Sequence, residues 1–291
     1  YILVWTPTPW TLPSNVALCV NPDETYCKVK AADGYTYYMA EALLDTVLGK
    51  LAKKEEGEDG AAPAYEVLAR FTGKELEYKE YEPLFGCAVE LCRQQNKKAY
   101  YITCDGYVTL TDGTGVVHIA AAFGEDDGKV GRNYDLPFVQ LVNGRGEMTA
   151  ETDYAGMFVK KADPLILKDM EKDGRLFDAP KFEHSYPHCW RCDTPLIYYA
   201  RESWYIRETA VRDDLMRNND TVNWIPESIG KGRFGNWLEN IQDWAISRNR
   251  YWGTPLNIWE CSCGHQHCVG SRQELYEMSG MEEAKTVEFH R

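Results

Sequence analysis

Three groups of residues have types and spacings that could do chemistry. The first is VWTPTPWTLPSN, residues 4–15, with prolines at 7, 9 and 13. Proline fixes φ and removes an N–H, so this stretch is neither a central strand nor an ordinary helix. Thr6, Thr8, Thr11, Ser14 and Asn15 then offer hydroxyls, an amide and unpaired backbone groups from a rigid loop, as a small polar pocket requires. The plainer reading is a strand followed by a helix start capped by Ser14 or Asn15. The second group is DGTGVVHIAAAFGEDD, residues 112–127. Gly113 and Gly115 permit a tight turn. Residues 116–120 read as a strand carrying His118, and a Gly-containing turn returns Glu125, Asp126 and Asp127, with Asp127 back near His118. An imidazole beside a carboxylate can bind an ammonium, orient water or move a proton. A surface histidine and a solvated acidic turn would look the same. The third group is Cys189, Cys192, Cys261, Cys263 and Cys268, clustered with His184, His188, His265 and His267. Cys189-x-x-Cys192 is half of a zinc site. The other five cysteines, 19, 27, 87, 92 and 104, lie in apolar contexts that suit buried free thiols. Paired spacing without a secretory signal favours metal over disulfide, hence a reducing cytoplasm.

The elements that must position these groups read as follows. Residues 2–5, 17–20, 26–31, 99–103 and 116–120 are short runs rich in β-branched and aromatic side chains, which predict strands. Residues 38–51 and 88–95 read as helices. Residues 152–175 read as a helix-rich return in which Asp163-Pro164 is a start signal for a helix over 165–173. Residues 182–206 read as strand-forming, and 207–218 and 234–247 as helices. KKEEGEDGAAPA, residues 53–64, reads as an exposed loop leading to the next strand. No internal repeat is present. Frequent Gly and Pro over residues 1–150 suggest a barrel-like α+β domain.

Composition narrows the function classes. The 291 residues hold 32 basic and 45 acidic side chains, a net charge of −13, with 44% hydrophobic and 26% charged residues. These values exclude wholesale disorder, and the acidic balance excludes coating nucleic acid through overall charge. Residues 186–252 carry nine basic residues, eight of them Arg, against nine acidic ones, so the whole net charge lies elsewhere. That Arg- and Trp-rich stretch is the better place for a polyanion contact, through Arg191, Arg201, Arg248 and Arg250. Trp237, Trp244, Trp252 and Trp259 read as core rather than as stacking platforms. No run approaches eighteen apolar residues, so no membrane span is expected. The opening YILVWTPTPW has neither a basic n-region nor a cleavage signature, so it does not read as a signal peptide.

Together the first two segments resemble the threonine-rich segment and the GTGxVH…DD segment of the editing domain of isoleucyl-tRNA synthetases. Valyl and leucyl enzymes have related domains. HSYPHCWRCDTPLIYYARESWYI, residues 184–206, resembles the isoleucyl family's return from the editing insertion, and RFGNWLENIQDWAISRNRYWGTP, residues 233–255, its entry into the second half of the class I core. The resemblance covers nearly the whole chain. It implies a compact, barrel-like α+β editing domain over about residues 1–182, then a partial Rossmann-like catalytic segment over 183–291 that would belong to a parallel sheet. Neither HIGH nor KMSKS occurs in the sequence, so the chain is expected to be a fragment that does not activate an amino acid alone. The full enzyme would attach isoleucine to tRNA(Ile) with ATP and magnesium, as a monomer.

One methylene separates valine from isoleucine. A single pocket discriminates it by about 1–3 kcal/mol, a range known for this very family and not read from this chain, so a second, hydrolytic pocket is needed. The resemblance implies that Asp127 pairs with the α-ammonium of the misattached valine, with Asp126 beside it. His118 would line the side-chain pocket. Thr6, Thr8, Thr11 and Asn15 would form the opposite wall against the terminal adenosine and position water, with Trp10 packed beneath. The nucleophile is water, and no side chain is assigned as its base. Two departures stand out: the family usually has Thr at the position of Pro7 and Pro at that of Ala121. Both are expected to weaken deacylation while fold and anchor persist. The resemblance also implies structural zinc, with Cys189 and Cys192 in one half-site and Cys261 and Cys263 in another, and with His265, His267 and Cys268 as substitutes within this chain. A zinc-containing tRNA-binding module without catalysis would instead show salt-dependent RNA binding and no hydrolysis. A metallohydrolase on His118, Asp126 and Asp127 would be abolished by chelation.

Overall fold

The computed structural model describes residues 1–52, 63–181, 186–248 and 255–288. The chain divides into two units, Tyr1–Ala200 and Arg201–Arg291. In the first unit β1 (Ala17–Val20) lies between β5 (Ile102–Cys104), parallel, and β6 (Val116–Ile119), antiparallel. Its four residues are all buried because its two faces enter different cores. Leu18 and Val20 join the cluster of Tyr26, Val29 and Met39; Ala17 and Cys19 join that of Ile119, Val130 and Leu141. A strand buried on both faces reads as a continuous apolar run rather than an alternation. The second sheet is antiparallel, with β2 (Thr25–Ala31) between β3 (Thr36–Ala40) and β4 (Tyr65–Thr72).

The N-terminal segment laces the two sheets together. Ile2 bridges Tyr38 of β3 and Trp5 bridges Val117 of β6. The α+β expectation holds, but among the described residues the strands form two three-stranded sheets and do not close into a barrel. Residues 2–5 accordingly form isolated bridges rather than a strand of their own.

The helices of this unit are α1 (Leu44–Leu48), α2 (Gly73–Leu76), α3 (Val89–Gln94), α4 (Glu125–Asn133) and α5 (Val159–Lys172). Several boundaries differ from the expectation. Residues 38–40 complete β3, because Tyr38 and Met39 pair with β2, and the helix that follows is broken into short 3-10 and α turns. Residues 125–127 begin α4 instead of ending a turn. The helix α5 starts before Asp163-Pro164 and carries Pro164 inside it. The loop expected over 53–64 falls mostly outside the described residues.

The second unit holds α6 (Arg212–Asn219), α7 (Ser228–Lys231), α8 (Arg233–Glu239) and α9 (Arg272–Ser279). Two antiparallel ribbons accompany them, β7 (Tyr205–Ile206) with β8 (Trp244–Ala245) and β9 (Ile258–Glu260) with β10 (Gln266–Cys268). The helix expected over 234–247 therefore stops at Glu239. Of residues 182–206, only Tyr205 and Ile206 lie in a strand among those described. Among the described residues each of these ribbons is a separate two-stranded sheet. The tryptophans are not core. Trp237, Trp244 and Trp259 are 58%, 55% and 48% exposed, because strands of two or three residues and short helices offer too little surface to cover them; Trp252 lies outside the described residues. No described helix is long and apolar enough to cross a membrane.

Candidate functional site

The threonine-rich segment folds as a 3-10 turn, Pro9–Ser14, with Pro9 in the first turn, where a missing N–H costs nothing. Thr8 stands at the N-cap position, yet its side chain caps no backbone N–H. Its hydroxyl instead joins a row. Thr6 Oγ1 lies 3.4 Å from Thr8 Oγ1, which lies 3.3 Å from Thr11 Oγ1, which lies 2.9 Å from His118 Nε2. The Thr8 N–H also donates to Thr6 Oγ1 at 3.1 Å, closing a small turn around the exposed Pro7.

His118 shares a face of β6 with Val116 by the two-residue alternation of a strand, opposite Leu18. Only 9% of it is exposed. Burial pushes its pKa down to about 4, so the ring is neutral at pH 7. Its tautomer follows from its neighbour. Thr11 has one hydroxyl proton and donates it to the Thr8 carbonyl at 2.8 Å, so Nε2–H must donate to Thr11 Oγ1. Nδ1 is then a bare acceptor, buried and without a hydrogen-bond partner among the described residues.

Asp127 sits in the first turn of α4, where an acidic residue is favoured by the helix dipole. Its Oδ2 accepts the N–H of Ala120 at 2.9 Å, two residues beyond His118 on the same chain segment. Burial pushes its pKa up to about 6; the Ala120 N–H opposes this and the neighbouring Asp126 adds to it. Asp126 itself is exposed.

The structure thus joins Thr6, Thr8, Thr11 and His118 in one network and sets Asp127 just past the end of β6. Asn15 does different work: its Nδ2 donates to the Ala17 carbonyl at 2.8 Å and its Oδ1 accepts from Tyr81 at 2.6 Å, so both ends of the amide hold the chain entering β1. Ser14 accepts the Leu141 N–H. Trp10 is buried edge-on against Phe123, ring centroids 5.0 Å apart, in the cluster that includes Val159 and Ile166 of α5. A hollow of about 240 Å³ lined by Pro13, Phe85, Cys87 and Glu151, and another of about 440 Å³ beside Pro164 and Phe177, involve none of Thr8, His118 or Asp127. Asp163 was not anticipated as part of this region. Its Oδ1 accepts the Trp10 N–H at 2.8 Å, 153 residues away in sequence. An acidic residue just before a proline inside an apolar helical face was the available signal.

Among the described residues the cysteines of this group lie in close pairs. Cys189 and Cys192 share a turn closed by Cys189 N–H to Thr194 carbonyl, 2.9 Å, and Asp193 N–H to Cys189 carbonyl, 2.8 Å. Cys261 and Cys263 lie just after β9, exposed, where the N–H of Cys263 holds the Cys261 thiol below its usual pKa, as suits a ligand thiolate. His267 is engaged by Glu274 at 3.0 Å. Among the described residues no three His, Cys, Asp or Glu side chains are placed to hold one metal ion, so a tetrahedral zinc site is not assembled from them. His184 lies outside the described residues. Of the arginines, Arg191 lies over the Trp190 ring and Arg248 donates to the carbonyls of Ala245 and Ser247; Arg250 lies outside the described residues.

Comparison with known proteins adds the following. The family model described as class I tRNA synthetases (I, L, M and V) matches residues 44–291. The isoleucine–tRNA ligase of Clostridium acetobutylicum is 51% identical over the whole of this chain and 26% of its own length. That of Bacillus thuringiensis strain Al Hakam is 45% identical, again over all of this chain and 26% of its own. The chain thus spans about a quarter of the length of these relatives. Among solved structures, the editing domain of the cytosolic leucyl-tRNA synthetase of P. falciparum is similar at 14% identity and a TM-score of 0.45, over 59% of this chain and 76% of that one. With its family model matched from the start of α1 onwards through both units, the chain belongs to the class I tRNA synthetases of the isoleucine, leucine, methionine and valine group.

Proposed function

We propose that the Tyr1–Ala200 unit carries the editing site of an isoleucine–tRNA ligase and hydrolyses valine misattached to the 3′ end of tRNA(Ile). The observation that carries this reading is the row of threonine hydroxyls running inward to a buried, neutral histidine, with a half-buried carboxylate beside the same strand. Ionised Asp127 grips the α-ammonium. Every α-amino acid offers that group, so this contact anchors without discriminating. Bulky His118, fixed in one orientation by Thr11, limits the side chain admitted. The threonine row faces the terminal adenosine and orders the attacking water. Water adds to the ester carbonyl carbon, the carbonyl–ribose C–O bond breaks, and the proton passes to the departing ribose hydroxyl; the products are valine and free tRNA. The full-length protein would charge tRNA(Ile) with isoleucine using ATP and magnesium. The cysteine pairs would be halves of structural zinc sites, outside the hydrolytic steps.

The test is deacylation of Val-tRNA(Ile) and Ile-tRNA(Ile) by the purified chain, with and without a chelator. Chelator-insensitive release of valine, with isoleucine spared, is the expected result. Salt-sensitive RNA binding without any hydrolysis would favour a non-catalytic tRNA-binding module. Pro7 lies in the threonine row, where a hydroxyl and an N–H are lost together. Pro7→Thr is therefore expected to raise deacylation about 2- to 10-fold, the worth of one neutral hydrogen bond of roughly 0.5–1.5 kcal/mol. An unchanged rate would show that position 7 lies outside the water-ordering wall.

A further inference from the structure

We infer that Asp163 is a positioning residue for the threonine wall, acting by taking over the capping task that would otherwise consume the Thr8 hydroxyl. A threonine at the N-cap of a helical turn ordinarily accepts the N–H of the second or third residue inside it. Here neither N–H needs Thr8's side chain. The Trp10 N–H goes to Asp163 Oδ1 at 2.8 Å, and the Thr11 N–H goes to the Thr8 carbonyl at 3.1 Å. Thr8 Oγ1 is thereby left to Thr6 and Thr11, and through Thr11 to His118.

The carboxylate is well held for this task. Asp163 lies in α5 with only 19% of its side chain exposed, and its other oxygen lies 3.8 Å from the Lys160 ammonium one turn earlier. The α5 face around it packs on the turn it caps: Val159, Ala162 and Ile166 share one buried cluster with Trp10 and Leu12. A remote acid thus caps the turn, and the local hydroxyl is released for the site.

The inference deepens the proposed editing function, on which its activity readout rests; a second readout does not depend on it. In the 291-residue chain, Asp163→Ala is expected to let Thr8 turn back onto the Trp10 N–H, lowering deacylation at least ten-fold. Adding Thr8→Ala should then cost less than two-fold more. Asp163→Asn, which keeps an acceptor in place, should stay within three-fold of the parent. Multiplying effects of Asp163→Ala and Thr8→Ala, or an unchanged rate in Asp163→Ala, would overturn the inference. If the parent chain proves inactive, the editing reading fails and amide hydrogen exchange at Trp10 decides this one. Either single alanine variant should keep Trp10 protected, while the double variant should exchange at least ten-fold faster; absence of that synergy sinks the inference. Should Asp163→Ala not fold, Asp163→Asn and Asp163→Glu carry the comparison. With Thr8→Ala added to each, the isosteric acceptor is expected to keep Trp10 protected and the lengthened one to lose it, and equal exchange in the two double variants would refute the role.

Discussion

Asp127→Asn is expected to leave the Tyr1–Ala200 unit folded and to lower deacylation of Val-tRNA(Ile) roughly 100- to 1,000-fold. Removing one partner of a buried charge pair costs about 2–5 kcal/mol, largely because the other charge is left unpaired. Asparagine keeps an oxygen for the Ala120 N–H, so the junction between β6 and α4 survives while the charge does not. The same carboxylate sets a pH dependence. With its pKa pushed up to about 6, the anchor is progressively protonated below that pH, and the rate should fall about ten-fold per unit there. In Asp127→Asn the residual rate should lose that limb. Stability moves the opposite way. Between pH 3.8 and about 6 the folded chain binds more protons than the unfolded one at this site, so unfolding free energy falls as pH rises through that window. The penalty is complete above it and amounts to at most about 3 kcal/mol. Asp127→Asn should therefore raise the Tm of this unit by several degrees at pH 7.5 and give no gain near pH 3.5. A lower Tm at pH 7.5, with activity intact, would remove Asp127 from the anchor role.

Why the site region was readable in the sequence while much of its support was not follows from where each signal resides. Pro9, the threonines, the GTG turn and the strand bearing His118 are local patterns, and the chain places them as their spacing suggests. The pairing of Thr11 with His118 spans 107 residues and that of Trp10 with Asp163 spans 153. No local period encodes either. Asp163-Pro164 reads locally as a helix start because an acid before proline suits one, whereas here the carboxylate is committed to another element. Asn15 looked like a ligand because an amide beside threonines is ambiguous until its partners, Ala17 and Tyr81, are seen. Asp126 and Asp127 are adjacent and chemically alike; only the first turn of α4 separates an exposed acid from a half-buried one. The tryptophans of the second unit misled for the converse reason. Their apolar character was legible, but whether this unit has surface to cover them was not.

Gly115→Ala is expected to destabilise the first unit by about 2–5 kcal/mol, a loss of roughly 1–2 kcal/mol from left-handed backbone and a further 1–3 from overpacking. Gly115 sits at φ 73°, and a Cβ there would meet the Ala40 Cβ at 2.4 Å and a Leu110 methyl at 2.9 Å. Relief by movement is blocked on several sides. The Gly115 carbonyl accepts the Tyr26 hydroxyl at 2.7 Å, the Thr114 hydroxyl donates to the Leu3 carbonyl at 2.7 Å, and the Thr114 carbonyl accepts the Ala40 N–H at 3.0 Å. Those bonds tie the turn to β2 and β3 of one sheet and to the segment lacing the two sheets. The turn also feeds directly into Val116, whose carbonyl accepts the Trp5 N–H just ahead of the threonine row. Displacing it would shift β6, and with it His118, against the row that begins at Thr6. Gly115→Ala should accordingly lower the Tm of this unit by about 5–15 °C and reduce deacylation in the fraction that remains folded. By contrast, Gly34→Ala, at a similarly positive φ but with nothing within 4 Å of the added carbon, should carry the backbone cost alone and leave the site's activity unchanged. If both substitutions cost the same, close packing at Gly115 does not hold β6 in place, and the glycines of the GTG turn serve the bend alone.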